Sequence, residues 1–182
     1  MAASLTGQLL VATHELTDHE FHRAVVLVLA HDADEGAAGV ILNRPTGARP
    51  PSRLDAWQAI AATPAVMFKG GPVSRETLIA VAVAQEGHDP SGWQPLRGTL
   101  GVVDLHADAT LVGTELAGIR LFSGYAGWET GQLEREIAVG AWFVVPPVPD
   151  DALTVAPDAL WRAVLARQGG MFTTVPLDPN LN

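Results

Sequence analysis

The sequence predicts an α+β fold, a mixed and largely antiparallel sheet that is strongly curved or partly closed, with flanking helices. Three observations carry that prediction. Apolar runs of strand length outnumber segments with helical periodicity, and the first three strand runs follow one another without helical crossovers, which argues against a doubly wound parallel sheet. The third is the glycine content, 18 residues, which gives a sheet the backbone freedom to curve tightly. At 182 residues the chain has the length of one domain, able to bury roughly 70% of its extended-chain surface without disulfide or metal. Residues 1–182 are therefore read as a single domain.

Residues 8–13 and 24–30 read as buried strands, the second through Val25-Val26-Leu27-Val28-Leu29. Polar residues 31–36 close it as a turn, and 38–43 form a third strand stopped at Arg44-Pro45. Pro50-Pro51 breaks the chain, and Ser52 with Asp55 three positions on resembles a capping box for a helix through Ala62. A short strand over 65–69 runs into Gly70-Gly71-Pro72, and the apolar run 77–84 is read as strand, although periodicity alone also permits a helix. Residues 88–92 are a loop by composition, 99–105 a strand, and Asp108 can cap a helix through Leu116. A strand over 119–123 leads into a helix over 132–139, stopped by Gly140. Residues 142–145 are strand-like, Pro146-Pro147-Val148-Pro149 is a stiff connector, and 157–168 closes the chain as a helix ended by Gly169-Gly170.

Composition removes several function classes. There is no cysteine, which excludes disulfides, thiolate catalysis and cysteine-ligated metals. No apolar run approaches the roughly 20 residues of a spanning helix, and the N-terminus lacks the basic and apolar blocks of a secretory signal. A cytoplasmic location without membrane association is expected. The net charge of −9 opposes attraction to phosphate backbones, so direct nucleic-acid binding is not expected. The eleven basic residues are scattered, and only folding could gather a positive patch.

The densest stretch of special residues is 121–136, Leu-Phe-Ser-Gly-Tyr-Ala-Gly-Trp-Glu-Thr-Gly-Gln-Leu-Glu-Arg-Glu. It reads as a strand that ends near Gly124, swings through Gly127 and opens a helix near Gly131. Tyr125 and Trp128 each combine a large apolar body with one polar atom, suited to a core corner or to a recognition surface, and Trp128 is the tryptophan expected to act as a surface anchor. Gln132 and Glu136 lie one helical turn apart and can face a groove. Ser123 lies outside a Gly-x-Ser-x-Gly elbow and no histidine is placed by sequence to activate it, so no Ser-His-Asp catalysis is expected. The carboxylates of Glu129, Glu134 and Glu136 are explained by the helix dipole before a glycosidase pair need be invoked.

Two further motifs can bind anions. Gly70-Gly71 offers backbone N–H groups but lacks the Lys-Ser/Thr of a P-loop, which favours a tight turn. Asn43-Arg44 adds a guanidinium suited to bidentate contacts. His14, Asp18, His19 and His22 form the only cluster with metal-ligand chemistry, for which an exposed polar corner is the simpler reading, so no metal is assigned. The candidate ligand- or partner-binding set is thus Asn43, Arg44, Gly70, Gly71, Tyr125, Trp128, Gln132 and Glu136, with no catalytic residues.

Four blocks in this order resemble the YqgE/AlgH family of small bacterial proteins: Gly7-Gln8-Leu9-Leu10-Val11-Ala12 with Asp18, Phe21 and Arg23; residues 39–45, Gly-Val-Ile-Leu-Asn-Arg-Pro; Gly70-Gly71-Pro72-Val73; and 122–136 followed by Gly140-Ala141-Trp142. Leu160-Trp161 looks like the family's last helix. His14, His19 and His22 depart from the residues more usual there. The resemblance implies a bifurcated sheet rolled into a pseudo-barrel and a protein often labelled a transcriptional regulator, with no settled reaction and so no catalytic residues or cofactor to carry over. It favours a noncatalytic regulatory or adaptor protein acting through an unidentified protein partner or small ligand, with direct DNA binding or an unrecognised enzyme of the glycine-rich cleft as alternatives.

Overall fold

The computed structural model describes residues 3–169, and its centre is one long bent strand. Strands run β1 Leu9–Ala12, β2 Val25–Asp32, β3 Gly36–Ile41, β4 Phe68–Lys69, β5 Val73–Ala84, β6 Trp93–Arg97, β7 Leu100–Val103, β8 Leu116–Trp128 and β9 Trp142–Val145. They join in the order β6-β7-β5-β8-β3-β2-β1-β9, all antiparallel, while β4 lies parallel to β8 off that path. The fold is the α+β class that the strand pattern predicts, rolled into the pseudo-barrel that the family resemblance implies.

β8 makes the sheet bifurcate. Its first part pairs with β5, from Ala84↔Leu116 to Leu78↔Ser123, and its last part pairs with β3 through Gly39↔Ala126, Ala38↔Gly127 and Ala37↔Trp128. The change of partner falls at Gly124, which has φ +74°. A Cβ there would sit 2.6 Å from the Gly71 carbonyl oxygen, and one on Gly71 would sit 2.2 Å from Tyr125 backbone atoms. Two backbones therefore touch where a side chain on either would hold them apart. The sequence reading of 119–123 as a strand ending near Gly124 is corrected: the glycines bend the strand instead of ending it. The turn into the next helix comes later, at Gly131.

Three apolar clusters cover the sheet. α5 (Leu160–Gln168) lays Leu160, Trp161, Val164 and Leu165 against Leu9, Val11, Val25 and Leu27. α3 (Gln132–Ala138) and the aromatic residues Trp128 and Trp142 cover Leu10, Ala12, Val26 and Ile41 on the other face. β1 is thus buried on both sides, which explains its unbroken apolar run. The third cluster packs α1 (Asp55–Gln58) and α2 (Ala109–Val112) on β5, β7 and β8. A fifth short helix, α4 (Pro149–Ala152), is held by Arg167, whose two terminal nitrogens meet the Asp151 carboxylate at 2.9 and 2.8 Å.

Other expectations divide. Asp108 caps α2 by accepting from Thr110 N and Leu111 N, and α3 stops before Gly140, at φ +82°. The predicted helix over 52–62 shrinks to a 3₁₀ turn, Ser52–Leu54, and the single turn of α1, with Pro51 rather than Ser52 at the cap. Tertiary pairing wins there. The Ala62 N–H is taken by the Ile119 carbonyl at 2.8 Å, and Trp57 Nε1 donates to the Leu105 carbonyl at 3.3 Å. The strand over 65–69 reduces to Phe68–Lys69, and β6 was not predicted because Pro95 lies inside it. β6 is an edge strand, where a missing N–H costs no ladder bond. The closing helix begins as a 3₁₀ turn over Pro157–Ala159. Gly170 lies outside the described residues.

Arg120 is the least expected core residue, 1% exposed. Its guanidinium donates to the carbonyls of Ala152 (3.2 Å), Thr154 (2.7 Å), Ala62 (3.3 Å) and Thr63 (2.8 Å), and it stacks 4.3 Å from the Phe68 ring centre. Burial pulls its pKa down to about 10. One cation therefore ties β8 to two otherwise irregular segments.

Candidate functional site

The structure sorts the eight candidate residues into separate places. Trp128 is 6% exposed, buried rather than a surface anchor. Its Nε1 donates to Glu136 Oε2 at 2.9 Å, Trp142 Nε1 donates to the same oxygen at 2.8 Å, and Gln132 Nε2 donates to Glu136 Oε1 at 2.9 Å. Gln132 Oε1 in turn accepts from Glu129 N at 3.0 Å. The ring centres of Trp128 and Trp142 stand 6.1 Å apart, edge to face, with Phe21 against both. Glu136 spends its acceptors on the fold, and this corner works as an anchor of α3. Gly70 and Gly71 are contact points of the β8 bend. Tyr125 lines a groove of about 820 Å³ with Leu29, Ala38, Val73 and the Trp128 face.

Asn43 and Arg44 lie elsewhere, in a cleft of about 790 Å³ shared with His19, His22, Arg23, Asp158 and Arg162. Its floor is built by a turn that begins at Asp18, whose Oδ1 accepts from Glu20 N and Phe21 N, both at 2.9 Å. The chain then reverses at Arg23, a non-glycine residue with φ +56°. Such a conformation is costly for an arginine and persists only where its surroundings fix it. Asn43 supplies that fixing: buried, it accepts from Val25 N at 3.0 Å and donates to the Arg23 carbonyl at 2.9 Å. Arg44 adds a second clamp by donating to the carbonyls of His22 and Asn43.

The opposite wall is the start of α5. Trp161 Nε1 is locked on the Ala12 carbonyl at 2.8 Å, and the Arg23 guanidinium stacks 5.4 Å from the Trp161 ring centre. Three arginines thus converge with one carboxylate, Asp158, in a chain of net charge −9. Burial lowers the Arg44 pKa from its usual value, and the nearby negative charge of Glu20 opposes that shift. Glu20 itself is held below the ordinary carboxylate range, first by its hydrogen bond from Lys69 at 2.7 Å. Among the described residues, Arg23 and Arg162 form no ion pair. Chemically, the arrangement is a set of guanidinium donors, Arg44 and Arg23 held in place and Arg162 free at the rim, able to take up an anion.

The other chemistries weighed from sequence do not assemble among the described residues. The Ser123 hydroxyl donates to the Arg75 carbonyl. No group of three or more histidine, aspartate or glutamate residues is placed to hold a metal. His14 points at Glu15, 3.3 Å away, whereas His19 and His22 join the arginine cleft. Among the described residues, no helix is long and apolar enough to cross a membrane.

The family profile described as AlgH-like matches residues 9–173. This chain belongs to the AlgH-like family. A Streptomyces avermitilis member, a UPF0301 protein, is 48% identical, the alignment covering 99% of this chain and 96% of the relative. A Mycobacterium tuberculosis UPF0301 protein is 39% identical over 97% of this chain and 90% of its own length. Among solved structures, a Corynebacterium diphtheriae protein superposes with a TM-score of 0.88 at 28% identity, covering 94% of this chain and 91% of that one. The Pseudomonas aeruginosa AlgH protein gives 0.70 at 28% identity, covering 93% and 92%.

Within this AlgH-like chain, the sequence blocks that carry the resemblance divide between two roles. Gly70-Gly71 and 122–136 build the bend and the α3 anchor, while Asn43, Arg44 and Arg23 build the cleft. Sequence reading found Asn43 and Arg44 but not Arg162 or Asp158, and weighed His19 and His22 only as metal ligands. No spacing signal could have joined Arg23, Arg44 and Arg162, which meet only through β2, β3 and α5.

Proposed function

We propose that this protein is a cytoplasmic, noncatalytic regulatory or adaptor protein that works by binding an anionic ligand or acidic partner group in the arginine cleft. The observation that carries this reading is the convergence of Arg23, Arg44 and Arg162 on one cleft of an acidic chain. Cations in excess of carboxylates, with Arg44 held on backbone carbonyls and Arg23 stacked on Trp161, serve recognition better than turnover. Among the described residues, no hydroxyl of the cleft is hydrogen-bonded to a general base, Thr17 standing apart from His19 and His22 in that respect, which supports binding over catalysis.

Arg162 is the clean probe, because it is exposed and unpaired among the described residues. In a deletion strain of the source organism, Arg162→Glu is expected to abolish rescue while leaving the melting temperature of the purified protein unchanged. Full rescue by Arg162→Glu contradicts the cleft as the functional site. Time-dependent consumption of any metabolite by the purified protein contradicts the noncatalytic reading.

A further inference from the structure

We propose that the arginine cleft takes a small phosphomonoester whose uncharged body carries hydroxyl groups; this rests on the cleft being the recognition site. Arg44 spends only two of its five N–H groups on carbonyls, and Arg23 and Arg162 spend none on hydrogen bonds among the described residues. A carboxylate offers two oxygens in one plane and satisfies one guanidinium fork. A phosphomonoester dianion offers three terminal oxygens in a tetrahedral array, which three forks approaching from different elements can share. The three arginines come from the turn before β2, the segment after β3 and α5, so they reach the cleft from three separate elements of the fold. His19 and His22 also line the cleft.

Volume and the single acid narrow the ligand further. A space of about 790 Å³ exceeds what an inorganic ion fills and matches the range of small-molecule sites. Asp158 lies on the α5 side of the cleft. A carboxylate there repels a second phosphate and accepts hydrogen bonds from hydroxyl groups, so it selects against extended polyanions and for a polyol or sugar body. The net charge of −9 opposes nucleic acid in the same way.

The test is calorimetric titration of the full-length wild type, Arg162→Gln and Asp158→Asn with inorganic phosphate, glycerol 3-phosphate, glucose 6-phosphate, glucose, acetate, an acidic peptide and a short duplex DNA. The proposal expects glucose 6-phosphate to bind more tightly than phosphate, and glucose and acetate to give no heat. Arg162→Gln should weaken every phosphate ligand by about tenfold or more, the loss of one charge-assisted contact. Asp158→Asn should weaken glucose 6-phosphate relative to inorganic phosphate, a readout that a fold defect would not produce. Equal weakening of both ligands by Asp158→Asn overturns the hydroxyl assignment. Saturable binding of the peptide or the DNA without any phosphomonoester binding overturns the ligand class while leaving the cleft as a recognition site. No heat with any anion removes both readings.

Discussion

Replacing Glu136 with alanine separates architecture from recognition at the corner that the sequence marks most strongly. The carboxylate accepts from Trp128 Nε1, Trp142 Nε1 and Gln132 Nε2 at 2.9, 2.8 and 2.9 Å. Both indoles are buried, at 6% and 3% exposure, so their N–H groups cannot turn to bulk water when the acceptor is removed. A buried donor left unpaired costs about 1–3 kcal/mol, which for two indoles gives ~2–6 kcal/mol. Glu136 is itself half-buried, and water entering the space it leaves recovers part of this. The expected loss is therefore about 3 kcal/mol, near the low end of that range. In a chain of this length it lowers the melting temperature by roughly 6–12 °C. Urea unfolding followed by tryptophan fluorescence reads it directly, with the midpoint falling and the slope unchanged. Glu136→Gln should lose less, since its amide oxygen still serves the indoles, although its NH₂ group then faces the Gln132 NH₂ donor and that bond is lost. A loss under about 0.5 kcal/mol, the size of an ordinary surface substitution, would refute the anchor.

Other expectations follow from the same reasoning. Arg120→Met strands four carbonyl oxygens and should cost about 2–4 kcal/mol, with Arg120→Lys restoring the charge but not the fork, checked by chemical denaturation. Gly124→Ala forces a side chain onto φ +74° and within 2.6 Å of the Gly71 carbonyl, so soluble yield and melting temperature should both fall, by more than the ~1–2 kcal/mol of the backbone term alone. The hydrogen bond from His31 holds the Glu134 carboxylate below its usual pKa. The unfolded chain therefore takes up that proton first: the stabilisation is fully present above about pH 4.3, the ordinary carboxylate value, and is lost as pH falls through the lower folded value. Glu134→Gln should flatten the acid limb of the stability curve, measured by unfolding at a series of pH values from neutral downward.

What the sequence could show was set by the range of the interactions involved. β2, β3, the Asp108 cap and α3 depend on neighbours within a few positions, and they are legible. The helix over 52–62 fails because its last N–H groups have a better use against Ile119, a partner 57 positions away at Ala62. β6 is hidden because Pro95 breaks a strand pattern only where both edges are paired. The density of glycine and aromatic residues in 122–136 marks a corner where backbones touch and indoles need a shared acceptor. That local signal looks the same whether the corner binds a ligand or holds a helix. Arg120 carries no local mark of burial, since its partners are carbonyls of 62–63 and 152–154. The cleft was half legible: Asn43-Arg44 is contiguous, but Arg23 and Arg162 reach it through strand pairing and helix docking that no spacing encodes.

The most direct measurement of the central claim is a ¹H–¹⁵N correlation spectrum of the labelled protein titrated with glucose 6-phosphate. Binding in the arginine cleft should give saturable shifts centred on His19, His22, Arg23, Arg44, Asp158 and Arg162, with the amides of Tyr125, Gly127 and Glu129 unmoved. Shifts confined to Tyr125, Gly127 and Glu129 would contradict it, as would a spectrum that does not change at any ligand concentration.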